Sequence, residues 1–355
     1  MTSSKNIFTN LKSDLSSGLV VFLIALPLCL GIALASGAPL FSGLISGIVG
    51  GIVIGSLSKS NLSVSGPAAG LTAIILSAVT KIGVFELFLC AVIIAGIIQI
   101  ILGLINAGSI SYYFPSNVIE GMLAAIGIII ILNQLEHAIG IGGIEKEEEQ
   151  FKLVTIFNAI KDGFHHWGAL TISGISIAIL LLWQRPFMKK VNFIPGALIA
   201  VTASILLNEL FIQNQSSLAI TDKRMLVNIP IVSSFSDFTN SFTFPDFSGF
   251  LRADIWIVGI TIAVVASIET LLCVEAIDKL DPHKRNTPTN RELLAQGTGN
   301  MISGLIGGLP VTSVIVRSSA NLNAGAKTKA SSIVHGILLL LSTITIPFIL
   351  NKIPL

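Results

Sequence analysis

Two apolar segments of this 355-residue chain are each broken by glycine, proline and hydroxyl residues. The breaks restrict what the chain can become. The first reads Leu62-Ser63-Val64-Ser65-Gly66-Pro67-Ala68-Ala69-Gly70-Leu71. The second reads Gly307-Gly308-Leu309-Pro310-Val311-Thr312-Ser313-Val314-Ile315-Val316-Arg317. Each starts as a short extended run and continues as an apolar helix. In lipid, a broken helix strands backbone N–H and C=O groups without partners, so the break must line a cavity inside the protein. One such break in each half of a chain points to the substrate site of a transporter.

Composition places the chain in a bilayer. Hydrophobic residues make up 52% and charged residues only 11%, against about 25% charged in soluble domains. A net charge of +2 gives no footing for nucleic acid. Cys29, Cys90 and Cys273 all fall in apolar stretches without disulfide or metal spacing, and are read as packing residues. The polar N-terminus lacks a cleavage-site pattern, so the first span is expected to stay as an anchor.

Apolar stretches near 17–36, 40–56, 62–80, 83–106, 115–133, 167–183, 193–213, 251–277, 292–308, 309–326 and 330–350 are expected to be spans of an all-α membrane protein. Basic residues follow the even-numbered spans: Lys59, then Arg185, Lys189 and Lys190, then Lys279, Lys284, Arg285 and Arg291, then Lys327 and Lys329. The acidic run at 145–149 follows span five. This bias predicts a cytoplasmic N-terminus and a multi-pass protein of the plasma (inner) membrane. Lys223 and Arg224 sit in a long loop, which carries little weight in that rule. The glycines at 43, 47, 51 and 55 form one face of span two and suit close helix packing.

The broken spans occupy matching places in two inverted repeats of seven spans, with the second repeat stopping after its fourth. The expected segments are a cytoplasmic 1–16, a first repeat over 17–213, an outside loop over 214–250 and a partial second repeat over 251–350. About three spans are expected to be missing. Spans three and ten run in opposite directions, so their helix N-termini face each other and offer N–H donors and partial positive charge to an anion. Pro67 suits the first helical position with Ser65 or Gly66 as cap, and Thr312 or Ser313 can cap the other helix. Hydroxyls on Ser65, Thr312 and Ser313 add donors.

Two charges lie deep in apolar sequence. Ten positions separate Arg317 from Lys327, about 15 Å of helix. At that depth an arginine must be paired or face water. It can add positive potential to the anion site or bridge to Glu269. Glu269 lies nine positions before Asp278 and can take up H+ or Na+ as the anion binds. Glu275 and Asp278 are expected near the cytoplasmic surface and Glu120 at an interface. His165-His166 matches no metal spacing, and His137, His283 and His335 stand alone. No phosphate loop, nucleophile elbow or zinc-binding motif is present, so neither a catalytic nor a metal site is expected.

Several stretches together resemble the SulP family of anion transporters, the sulfate permease group. They are Asp14-Leu15-Ser16-Ser17-Gly18 through Ala25-Leu26-Pro27, then Ser63-Val64-Ser65-Gly66-Pro67, and Asn290-Arg291-Glu292-Leu293-Leu294-Ala295-Gln296-Gly297. Gly307-Gly308-Leu309-Pro310-Val311-Thr312 through Arg317, and Ala324-Gly325-Ala326-Lys327-Thr328, complete the set. The resemblance implies a seven-plus-seven inverted-repeat fold with core and gate domains, short extended segments in spans three and ten, and a homodimer. It implies an anion site of Ser65, Gly66, Pro67, Ala68, Thr312, Ser313, Val314 and Arg317. Phe22, Ala25 and Leu26 of span one would line it, and Glu269 would couple H+ or Na+. Spans twelve to fourteen and the cytoplasmic STAS domain of many members have no counterpart. The expected function is secondary transport of a small oxyanion, sulfate first. The alternatives are Na+-dependent bicarbonate transport, a passive anion channel and a non-transporting scaffold.

Overall fold

Long apolar helices dominate the computed structural model, which describes residues 10–109, 166–183, 185, 196–222, 225–228, 241–345 and 347–354, with scattered positions between 121 and 140. Most of expected span five, Glu120, the acidic run, Lys189, Lys190, Lys223, Arg224, His137 and His165 lie outside the described residues. Helix α1 (Leu11–Ala35) has 25 residues, about 37 Å at 1.5 Å per residue, enough to cross a hydrocarbon core of about 30 Å. Helices α2 (Leu40–Leu57), α4 (Phe85–Leu104) and α7 (Ala253–Leu280) are also long and apolar enough to cross. Helices α3 (Thr72–Ile82), α5 (Trp167–Trp183), α6 (Gly196–Gln213), α8 (Thr289–Leu305), α9 (Ile315–Asn323), α10 (Ala330–Thr345) and the short α11 (Pro347–Leu350) complete the described set.

The chain divides into two compact units. One holds Met1–Ile126 and Val232–Thr345, the other Gly127–Ile231 and Ile346–Leu355. Both broken segments belong to the first unit, so this spatial division does not follow the expected repeats. In the second unit α5 packs on α6, around Ala169, Ile172, Ile220 and Met225. There Asn208 accepts from the Ile220 amide at 2.8 Å and donates to its carbonyl at 3.1 Å.

In the first unit the glycine face of α2 does what its spacing predicts. A Cβ on Gly43 would stand 2.1 Å from the Cys29 carbonyl oxygen of α1, and one on Gly51 2.5 Å from Gly336 Cα of α10. A π turn at Gly50–Ile54 interrupts α2. A Cβ on Gly50 would meet the Ser65 carbonyl oxygen at 2.4 Å, so the turn seats the first broken segment. Packing of α4 on α8 is similarly close, with Gly96 and Gly297 facing each other.

Both breaks become strands. Strand β1 (Ser65–Pro67) pairs antiparallel with β2 (Val311–Ser313), matching Ser65 to Ser313, Gly66 to Thr312 and Pro67 to Val311. The Ala68 amide donates to the Pro310 carbonyl at 3.1 Å and the Val314 amide to the Val64 carbonyl at 2.9 Å, extending the ladder at each end. The stranded backbone groups of one break are thus met by those of the other.

Candidate functional site

Because β1 and β2 are antiparallel, the helices that follow them leave the ribbon in opposite directions. A 3-10 turn at Ala69–Leu71 leads into α3, and α9 starts at Ile315. Both N-terminal ends point back at the ribbon, as expected. The caps differ from expectation. Pro67 is in the strand rather than at the first helical position, and Ala68, Leu71 and Val314 precede the helical turns without side-chain caps. Pairing holds 65–67 and 311–313 extended, which delays the first helix by two residues to its 3-10 turn and five to α3, and the second by one or two.

The hydroxyls divide in the same way. Ser65 Oγ accepts from Gln296 Nε2 at 2.8 Å. Ser313 Oγ is bonded to Ser63 Oγ and lies 3.2 Å from Cys273 Sγ. Thr312 Oγ1 is buried beside the Glu269 carboxyl, without a hydrogen bond of good geometry. Ser65, Gly66, Pro67, Ala68, Thr312 and Ser313 are buried, and Val314 is 9% exposed. Helix α1 lies against β1 and α9, with Ala25 buried and Phe22 and Leu26 half-buried.

Arg317 is fully buried. Its Nη2 donates to Cys29 Sγ at 3.4 Å, while Nε and Nη1 have no partner. The guanidinium lies against the ribbon with Nη1 foremost, since a Cβ on Gly66 would come within 2.1 Å of Nη1. No carboxylate among the described residues pairs with it, so the expected alternative of a bridge to Glu269 is not formed. The helical path is also shorter than expected. Helix α9 ends at Asn323 and the chain turns at Gly325 with φ +87°, leaving about 9 Å of helix beyond Arg317. His335 of α10, read from sequence as isolated, is fully buried, has neither ring nitrogen partnered, and lies within electrostatic reach of Arg317.

Glu269 stands at the start of the other half-helix. Its Oε1 accepts from the Gly70 amide at 3.3 Å, and its Oε2 is shut from solvent with no hydrogen-bond partner. A Cβ on Gly70 would fall 2.7 Å from that oxygen, so only glycine lets the carboxyl approach. The next residue, Thr270, accepts from the Ser313 amide at 3.2 Å. Helix α7 therefore touches both broken segments. Lower on α7, Asp278 is half-buried and accepts from the Thr287 amide at 2.6 Å and hydroxyl at 2.9 Å, anchoring the following loop.

Sequence reading missed the polar face of α8. Glu292, Gln296, Asn300 and Ser303 are spaced four, four and three residues apart, hence on one face, and all are buried. Asn300 accepts from the Val311 amide at 2.6 Å and donates to its carbonyl at 3.0 Å and to Gln99 Oε1 at 2.7 Å. Ser303 donates to the Leu309 carbonyl at 2.7 Å. The signal was four polar residues on one stripe of an otherwise apolar span.

The chain is 27% identical over 298 residues to YvdB, a candidate sulfate transporter of Bacillus subtilis (strain 168), covering 83% of this chain and 53% of that one. It is 26% identical over 268 residues to the bicarbonate transporter BicA of Picosynechococcus sp., covering 74% and 44%. With High affinity sulfate transporter 2 of Stylosanthes hamata it shares 26% over 262 residues, covering 72% and 38%. The chain thus spans about half, or less, of the length of these relatives. Its fold matches the transmembrane domain of a cyanobacterial BicA with a TM-score of 0.77 at 22% identity, covering 98% of this chain and 85% of that one. It matches SLC26A9 with a TM-score of 0.77 at 17% identity, covering 97% and 55%. The expected inverted-repeat fold with core and gate domains is therefore the fold of this membrane protein. Residues 11–355 match the Sulfate permease family, and the chain belongs to that family.

Proposed function

We propose that this chain performs secondary active transport of a small inorganic oxyanion across the plasma membrane, with sulfate as the first substrate and H+ or Na+ as the coupling ion. One observation carries the reading. Arg317 is fully buried against the strand ribbon, with two guanidinium nitrogens unpartnered, beside the N-terminal ends of two half-helices. A buried unpaired cation costs several kcal/mol. An anion at the ribbon offsets that cost and gains N–H donors and two helix dipoles. Thr312 Oγ1 supplies a further donor.

Glu269 supplies the coupling. Its carboxylate already accepts from the amide at the start of the α3 arm. A second negative charge at the same helix end is repelled, so anion binding favours a Glu269 that is protonated or paired with a cation. A passive channel has no use for such a group. Similarity to both sulfate and bicarbonate transporters keeps Na+-dependent bicarbonate transport as the second reading. A cytoplasmic N-terminus and homodimeric assembly belong to the proposal on the basic-residue bias and the family resemblance respectively.

The test is uptake of labelled sulfate and of bicarbonate into proteoliposomes with imposed pH and Na+ gradients. Concentrative uptake that Glu269→Gln abolishes is the expected result, and the anion and gradient that support it identify the substrate and coupling ion. Flux that ignores both gradients would reject coupling.

A further inference from the structure

We propose that Glu292 is a positioning residue for the anion site, acting on strand β1 through Gln296. The inference rests on reading the ribbon as that site. The hydrogen-bond senses fix the arrangement. Gln296 Nε2 donates to Glu292 Oε1 at 2.9 Å, so the carboxyl holds the nitrogen side of the amide. The second hydrogen on that nitrogen goes to Ser65 Oγ at 2.8 Å. Gln296 Oε1 is left buried without a partner.

Glu292 is itself held from the other side. Ser58 Oγ donates to Oε2 at 2.5 Å and accepts from the Ser60 amide at 3.0 Å. Glu292, Gln296, Ser65, Ser58 and Ser60 are all 5% exposed or less, so solvent does not compete for these bonds. The chain of contacts therefore runs from the buried Glu292 carboxyl, through the Gln296 amide, to the first residue of β1. The next residue is Gly66, whose backbone lies against the Arg317 guanidinium. Without the Glu292 acceptor Gln296 loses one of its two partners, its hold on Ser65 loosens, and Gly66 shifts relative to Arg317.

The test is equilibrium binding of labelled sulfate and of labelled bicarbonate to the purified full chain in detergent. Glu292→Gln keeps the shape and replaces one of the two acceptor oxygens with a donor. It is expected to weaken binding of whichever anion the chain binds by about tenfold, the order of one buried hydrogen bond, with the amount bound at saturation unchanged. Ser65→Ala is expected to weaken it too. The double variant is expected to bind no more weakly than the weaker single, because both act on one path. Gln296→Met, similar in size without the amide, is expected to reproduce the loss. Additive losses in the double variant overturn the proposal, and unchanged affinity in Gln296→Met overturns it even if Glu292→Gln does not fold. Arg317→Ala separates the two readings. If it weakens binding and Glu292→Gln does not, the positioning role fails alone. If Arg317→Ala leaves binding intact, or neither anion binds the unmodified chain, the anion site itself fails and this role with it.

Discussion

Arg317 and Gly66 act as one unit. The guanidinium can lie on the ribbon only because residue 66 has no side chain, as a Cβ there would stand 2.1 Å from Nη1. Gly66→Ala is therefore expected to push away the far end of a flexible side chain, leave the protein folded, and weaken sulfate binding by about tenfold or more. Arg317→Lys is expected to fail as a replacement, since an ammonium offers a point charge without the planar fork. Binding isotherms for the two variants check this, and unchanged affinity in both would remove Arg317 from the site. At this scale the sequence was legible where a charge stood in apolar surroundings, as with Arg317 and Glu269. It was silent on partners. Nothing in the order of residues says that Cys29 of α1 accepts from Arg317, or that His335 lies near it, because those neighbours come from helices far apart in the chain.

At the scale of elements, the two breaks were legible as short extended runs but not as a paired ribbon. Three-residue strands leave no periodicity to read, and their pairing joins residues about 250 positions apart. That pairing also explains why the expected caps did not form. The polar face of α8 pins the ribbon from behind, and Asn300 is its clearest member, satisfying both backbone groups of Val311. Asn300→Leu is expected to orphan a buried N–H and a buried C=O, at roughly 1–3 kcal/mol each. Thermal unfolding in detergent should show a clearly lowered midpoint. An unchanged midpoint would mean that α8 does not hold β2.

At the scale of the whole molecule, span placement was the most legible property, because length and apolarity decide it. Expected 167–183 and observed α5 agree, and α2, α4 and α7 differ from expectation by three residues or fewer at each end. Two of the stretches that carried the family resemblance turn out to be partners. Asp14 accepts from the Lys327 amide at 2.7 Å, the Thr328 amide at 3.0 Å and the Thr328 hydroxyl at 2.6 Å, while Ser17 donates to the Ala324 carbonyl at 3.0 Å. The start of α1 is thereby tied to the loop between α9 and α10. Asp14→Ala removes the acceptor of these part-buried donors and is expected to cost on the order of 1 kcal/mol, seen as a lower unfolding midpoint and earlier proteolysis of the 324–329 loop. Wild-type resistance to protease would argue against the tie.

The central claim is that a small oxyanion binds at the ribbon, between Arg317 and the two half-helix ends. Selenate, a sulfate analogue with an anomalous signal, tests it directly in crystals of this protein. The account predicts a selenium peak within hydrogen-bonding reach of the Arg317 guanidinium and Thr312 Oγ1. A peak elsewhere, or none at a selenate concentration that blocks sulfate binding in solution, would contradict it.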